Sequence, residues 1–254
     1  MNLKQIFKIF LCGFLLVSLP IQAAQSEAMP VKPYRFHFKK LPQHIWHDVK
    51  STLWGYNGIL FAVGLGASAA FYPLDQDVSR KFVGHPVFGR KADRTIGKVV
   101  SPYTIAGASL LTFLISNTTS NSRLTLAMES QCESLFLTLT TVVAGKYAFH
   151  RQRPSGGQHS MPSGHTAPVF STAAVLTSFY GLPAAIPAYA VAAVVSFSRL
   201  DGHVHFLTDV LVGAVIGSAF GYGTSMAHKK DHHDYLILPQ INSNEAGLVF
   251  NKTF

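Results

Sequence analysis

Only two cysteines occur in 254 residues. Cys12 falls inside an N-terminal apolar run, so a chain trimmed of that run keeps Cys132 alone and forms no intramolecular disulfide. Cys132 has no catalytic frame around it and is expected to pack as a small apolar side chain. Charge is scarce as well. Charged residues make up 13% and apolar residues 48% of the chain, a low charge content for a freely soluble protein, so membrane contact is expected. Acidic residues are the scarcer sign, with 12 Asp or Glu against 21 Lys or Arg and a formal net charge of +9. That excess suits anionic lipid surfaces or phosphorylated substrates. The basic residues are scattered and no RNA or DNA module is visible, which argues against a nucleic-acid partner. There is no internal repeat and no long low-complexity block.

What is present falls into four parts. Residues 1–23 read as a secretory signal: Lys4 and Lys8 give a positive start, Ile9 to Leu19 an apolar core, and the small-residue region ends at a cleavage point after Ala23. An uncleaved anchor is the alternative, although the run is short for a span. Residues 24–56 form a polar approach segment with prolines at 30, 33 and 42, ending in an amphipathic helix near Ile45 to Trp54. Residues 57–230 hold the main domain, and 231–254 a tail. Six mainly apolar stretches lie in the main domain, at 57–74, 99–117, 134–147, 166–182, 184–198 and 209–227. Gly, Ala, Ser and Thr are frequent in them, as in closely packed helix interfaces. The expected fold is an all-α bundle of about six apolar helices.

Thr166 to Ser198 carries no charge over 33 residues, and Pro183 and Pro187 interrupt it where a helical hairpin would turn. Such a hairpin can enter a bilayer or form the heart of a bundle, and both are open at this point. The run from His228 to Asp234, with three histidines and two lysines, lacks defined metal-ligand spacing and reads as solvated charge at a helix end. Tyr235 to Phe254 has short apolar clusters about an Asn-Ser-Asn-Glu turn, consistent with a small hairpin.

Three segments carry chemistry. Lys146 and Arg153 stand seven residues apart, so a helix reaching Arg153 would place both cations on one face before Pro154 ends it. Lys146 can supply a point charge, and Arg153 can fork two N–H donors onto phosphate oxygens. Pro162-Ser163-Gly164-His165 makes a tight turn ahead of a helix starting near Thr166, where the Gly164 amide and the Ser163 hydroxyl can face an anion. His165 can donate a proton there. In Ser198-Arg199 to Asp209, Arg199 adds a third cation. His205 precedes Asp209 by four residues, a spacing that lets the carboxylate orient the imidazole and leaves its other nitrogen free to attack.

At all of these positions, Lys146, Arg153, Pro154, Pro162 to His165, Ser198, Arg199, His205 and Asp209, the chain resembles the type 2 phosphatidic acid phosphatase (PAP2) and vanadium haloperoxidase superfamily. The motifs cover residues 146–209, and the first 130 residues carry far less of the likeness. One local departure is His203, two residues before His205, where relatives commonly have a small residue. The x3-D spacing selects His205 as the oriented histidine. His203 is either a pocket-lining residue or a bystander.

The resemblance implies a metal-free phosphohistidine mechanism. Lys146, Arg153 and Arg199, helped by Ser163 and Gly164, would hold the phosphoryl oxygens. His205 would attack, Asp209 would orient it, and His165 would protonate the leaving group. No cofactor and no metal is expected, nor an obligate protein partner. The implied substrate is a phosphomonoester or diphosphate, in first place a phosphorylated lipid, with a soluble phosphoester as the alternative. A haloperoxidase would use the same residues with His205 ligating vanadate, but the modest length and expected lipid contact argue against it. A non-catalytic lipid-binding or transport protein should have lost His165, His205 or Asp209, and none is missing. The likeness implies an exported protein of the bacterial envelope, at the inner membrane or in the periplasm, with its site facing the periplasm. Six Lys or Arg between residues 80 and 98 pull the other way under the positive-inside bias, if every stretch spans.

Overall fold

The computed structural model describes residues 40–84, 86–119, 121–232, 235–242 and 245–252, the last two segments by their backbone. The expected signal segment and the approach segment up to residue 39 lie outside the described residues. Nine α-helices are present among the described residues: α1 Leu41–Leu53, α2 Gly55–Ala70, α3 Asp75–Gly84, α4 Gly89–Val99, α5 Pro102–Ser116, α6 Ser122–Phe149, α7 Thr166–Tyr180, α8 Leu182–Asp201 and α9 Leu207–His232. The six apolar stretches become α2, α5, α6, α7, α8 and α9. The amphipathic helix expected near Ile45 to Trp54 is α1, which starts four residues earlier, and the shorter α3 and α4 are the additions. Two antiparallel strands, β1 Tyr235–Asn242 and β2 Glu245–Lys252, follow with Asn242 opposite Glu245.

Helix α7 is the centre of the bundle. Its buried Val169, Phe170 and Ala173 pack on Ala185, Tyr189, Ala192 and Val195 of α8, while Val175 and Phe179 meet Leu126 and Met128 of α6 and Phe113 of α5. Cys132 packs partly buried beside that second cluster, as a small apolar side chain. The α7–α9 interface is set by glycine. A Cβ on Gly217 would lie 2.0 Å from the Ala167 carbonyl oxygen, and one on Gly221 would lie 2.5 Å from that of Ser171. Gly213, one turn earlier, approaches the Ser163 backbone in the same way. Three glycines at i, i+4 and i+8 thus let two backbones touch, and polar groups in the bundle are met across helices, as where Ser134 bonds Ser171.

The helix boundaries follow local chemistry. Asn121 caps α6 through its side-chain oxygen and the Leu124 amide at 3.0 Å, and Ser101 forms a capping box with Thr104 at the start of α5. Gly181, at φ +71°, makes the turn between α7 and α8, and Pro183 occupies the first turn of α8, which tolerates it. Pro187 lies inside α8 rather than at the turn.

Four helical stretches, Gly55–Val83, Lys91–Ser116, Leu182–Asp201 and Leu207–Lys229, are long and apolar enough to cross a membrane. Large apolar side chains stand exposed along them, including Ile59 and Val63 on α2, Leu110, Leu111 and Leu114 on α5, and Ile186, Val191 and Val194 on α8. A monomer in water rarely presents so much apolar surface, and these faces fit a lipid environment.

Candidate active site

Helix α6 ends at Phe149, not at Arg153 as the seven-residue spacing suggested. Proline at 154 explains the difference, because its ring would collide with the carbonyl of residue 150 in a continuing helix. His150 accordingly turns into the left-handed region at φ 44°. The two cations are therefore brought to one place by the loop that follows α6. Lys146 Nζ donates to the His159 carbonyl at 2.7 Å. The loop closes on itself where the Arg153 amide donates to Gly157 O at 2.6 Å and Arg153 Nε donates to Gln158 O at 3.1 Å. Burial, and then the charge of Arg153, lowers the Lys146 ammonium to about 8.

The Pro162–His165 turn lies against the end of α6. A Cβ on Gly145 would come within 2.7 Å of the Pro162 ring, so glycine there admits the turn, and Gly164 stands beside the Lys146 side chain. The Ser163 amide donates to Asp209 O at 2.9 Å, which ties the turn to the start of α9. The Ser163 hydroxyl accepts from Thr166 Oγ1 at 3.0 Å, so it does not stand free, although its own O–H remains able to donate. His165 Nε2 donates to Gly97 O of α4 at 3.1 Å. Burial, followed by the charge of Arg199, holds its imidazole below the usual histidine range, and Arg153 and Lys146 act in the same sense.

Arg199 is buried, donating to Asp93 O of α4 at 2.8 Å and to Ser198 Oγ at 2.8 Å. His205 is 3% exposed and sits just ahead of α9 rather than within it. Its Nδ1 is 3.7 Å from Asp209 Oδ2 and makes no hydrogen bond. The expected pair is thus adjacent but not closed. Asp209, third residue of α9, instead reaches back to the Phe206 amide at 2.8 Å, accepts from Ser160 Oγ at 2.5 Å, and accepts from Arg151 Nη1 at 2.8 Å. Burial lowers His205 to about 4, so its imidazole is neutral, with a lone pair available, at ordinary pH.

The three motif segments meet. Gly97 joins His165 to Arg199, its carbonyl accepting from His165 Nε2 and its Cα facing Arg199 Nη1, while Gly164 lies beside the Lys146 side chain and the Ser163 amide bonds Asp209, four residues from His205. Two imidazoles and three cations therefore share one site, at the end of the bundle formed by the C-terminus of α6 and the N-termini of α7 and α9. His203 lies at φ 53° in the turn after α8.

Several residues of the site carried no sequence signal. Arg151 donates from Nη1 to Thr208 Oγ1 as well as to Asp209, pairs through Nη2 with Asp75, and lies over the Phe206 ring at 4.3 Å. Asp75 in turn accepts from the Thr208 amide at 2.9 Å. Helix α4 contributes Asp93 and Gly97, and a Cβ on Gly97 would meet Arg199 Nη1 at 2.5 Å. The α3–α4 connection is fixed by Asp201, which accepts from the Val87 and Phe88 amides at 2.7 and 2.9 Å.

Comparison with known proteins agrees with this geometry. Over 84 residues the chain is 40% identical to a lipid A 1-phosphatase of Porphyromonas gingivalis, covering 32% of this chain and 19% of that protein. Over 87 residues it is 31% identical to a lipid A 4'-phosphatase of Helicobacter pylori, covering 34% of this chain and 43% of that protein. The matches thus span less than half the length of either relative. The fold is similar to the crystal structure of Aquifex aeolicus LpxE, with a TM-score of 0.50 and 22% identity, covering 58% of this chain and 92% of that one. The model of the PAP2 superfamily matches residues 129–232, a range that contains every candidate site residue. Over that segment the chain is similar to the PAP2 superfamily.

Proposed function

We propose that this chain is a metal-independent phosphatase that removes phosphate from a phosphorylated lipid through a phosphohistidine on His205. The observation that carries the reading is the convergence of a buried neutral imidazole, a second imidazole and three cations at one end of the bundle. Lys146, Arg153 and Arg199, with the Gly164 amide and the Ser163 O–H, hold the phosphoryl oxygens. The free ring nitrogen of His205 attacks phosphorus, the P–O bond to the lipid breaks, and the departing oxygen takes a proton from His165. Water, deprotonated by His165, then cleaves the P–N bond and releases orthophosphate. Asp209 balances the charge that His205 gains, its carboxylate held in place by Arg151 and Ser160.

A lipid substrate is supported by the exposed apolar faces beside the site and by the names of the two bacterial relatives. We place the protein at the bacterial inner membrane with the site facing the periplasm. The six Lys or Arg of residues 80–98 lie on α3 and α4, and α4 borders the site. In this reading they draw an anionic head group to the site rather than fix topology. The test is phosphate release by purified protein from phosphorylated lipids, including lipid A, prenyl diphosphates and a soluble aryl phosphate, with EDTA present. Turnover that survives EDTA, prefers lipid and is lost in His205→Ala supports the reading, and turnover abolished by EDTA contradicts it.

A further inference from the structure

At the opposite end of α6 and α9 from the phosphate site, α1 brings a second cluster together. His44 Nδ1 lies 3.2 Å from Glu129 Oε1 and 3.7 Å from Glu133 Oε1, and His228 Nε2 lies 2.9 Å from Glu133 Oε2 and 3.9 Å from Asp48 Oδ1. His44 and Asp48 are four apart on α1, and Glu129 and Glu133 four apart on α6, so each helix turns a pair of ligand types to the same side. His228 comes from α9. From Asp209 to His228 is about 28 Å along an α-helix at 1.5 Å per residue, so this cluster shares nothing with the catalytic histidines. The sequence reading of His228 as solvated charge is corrected here: the side chain is 3% exposed. Its companions lie some 95 to 184 positions away, by subtraction of their numbers, so no local spacing could reveal them.

Three carboxylates buried beside two imidazoles are a costly arrangement if nothing else balances them. Both oxygens of Asp48, which is fully buried, have no hydrogen-bond partner, and neither do Glu129 Oε2 and Glu133 Oε1. A divalent cation removes that cost. One ligand atom from each of His44, Glu129, Glu133 and His228 can be chosen so that all lie within 4.8 Å of one another. Ligands held about 2.0–2.2 Å from one ion lie at most about 4.4 Å apart, so a slight closing of the cluster seats the ion. Imidazole with carboxylate, and no thiolate, selects a borderline first-row ion rather than Cu(I) or Ca²⁺.

We propose that His44, Glu129, Glu133 and His228, with Asp48 beside them, form a structural site for one divalent first-row transition-metal ion that fastens α1 to α6 and α9. The ion's role is to hold helices and not to touch the phosphate. Metal bound to the folded form alone raises stability by mass action.

The test uses untagged full-length protein in detergent, stripped with chelator and desalted, then titrated with Zn²⁺ and with Co²⁺. The expected result is about one equivalent bound per chain, a higher unfolding temperature, and visible Co²⁺ bands of a nitrogen–oxygen site. Glu133→Gln and His44→Gln should each weaken binding at least tenfold, whereas His232→Gln/His233→Gln should bind as the parent does. The Co²⁺ spectrum of the parent protein keeps the test decisive even if a variant fails to fold. Absence of stoichiometric binding by the parent, or unchanged binding in His44→Gln/His228→Gln, overturns the proposal. Phosphatase activity is not the readout, so its presence or absence leaves this result intact.

Discussion

Arg151 grips Asp209 with one arm of its guanidinium and Asp75 with the other, Nη1 standing 2.8 Å from Asp209 Oδ1 while Nη2 pairs with Asp75 Oδ2. Asp75 also holds the Thr208 amide, so a helix far upstream in sequence fixes the first turn of α9 through one arginine. Asp209 is fully buried and Arg151 partly so.

Removing the arginine should therefore leave two buried carboxylates uncompensated. Arg151→Ala is expected to lower stability by about 3–5 kcal/mol, the usual consequence of breaking a buried pair from one side. Arg151→Lys keeps a charge but cannot fork between two acids. It should fold, with kcat reduced on the order of 100-fold through misplacement of Asp209 and His205, and KM little changed. Denaturation together with steady-state kinetics checks both, and an Arg151→Lys enzyme of parental kcat would remove Arg151 from the positioning role.

The pH dependence follows from the two imidazoles. His205 must be neutral to attack, and burial has lowered it to about 4, so activity should persist to unusually low pH and fall only below that value. His165 must be protonated to act as acid, and burial with the nearby cations lowers it from 6.5. Activity should then fall as pH rises through that lowered value. The profile of kcat/KM is expected to be a bell with its maximum on the acid side of 6.5, and the alkaline limb of kcat should lie higher, because a bound phosphate anion offsets the three cations. An alkaline maximum in kcat/KM would contradict these assignments.

The glycine contact between α7 and α9 can be tested without touching the site. Gly217→Ala puts a methyl 2.0 Å from the Ala167 carbonyl, and neither backbone can yield locally. A loss of about 1–3 kcal/mol or more is expected from overpacking. Gly66→Ala, on an open face of α2 with no atom within 4 Å, should be neutral or stabilising by about 0.5–1 kcal/mol. Paired thermal melts give the comparison, and equal effects at the two positions would refute the close-approach argument.

Much of this was legible in the residues. The apolar stretches marked α2 and α5 to α9 because helix-length runs with little charge leave few other solutions, and the motif histidines and cations stand out by residue type and spacing alone. Arg153 was expected beside Lys146 on one helix face, a reason that does not hold, since Pro154 stops α6 a turn earlier and the loop, not helical periodicity, brings it to Lys146. The parts that stayed hidden depend on distant partners. Arg151 looked like one more basic residue until Asp75, 76 positions away, came to face it. Likewise, His165 gave no sign that the Gly97 carbonyl would receive its proton.

The central claim is that His205 carries the phosphoryl group. Rapid quench of the enzyme with ³²P-labelled lipid substrate in EDTA, followed by digestion under alkaline conditions that preserve phosphohistidine, tests it directly. Label on the peptide containing His205, appearing and decaying within one turnover and absent from His205→Ala, is the predicted result. Normal turnover with no labelled enzyme at any time, or label on a different residue, would contradict it.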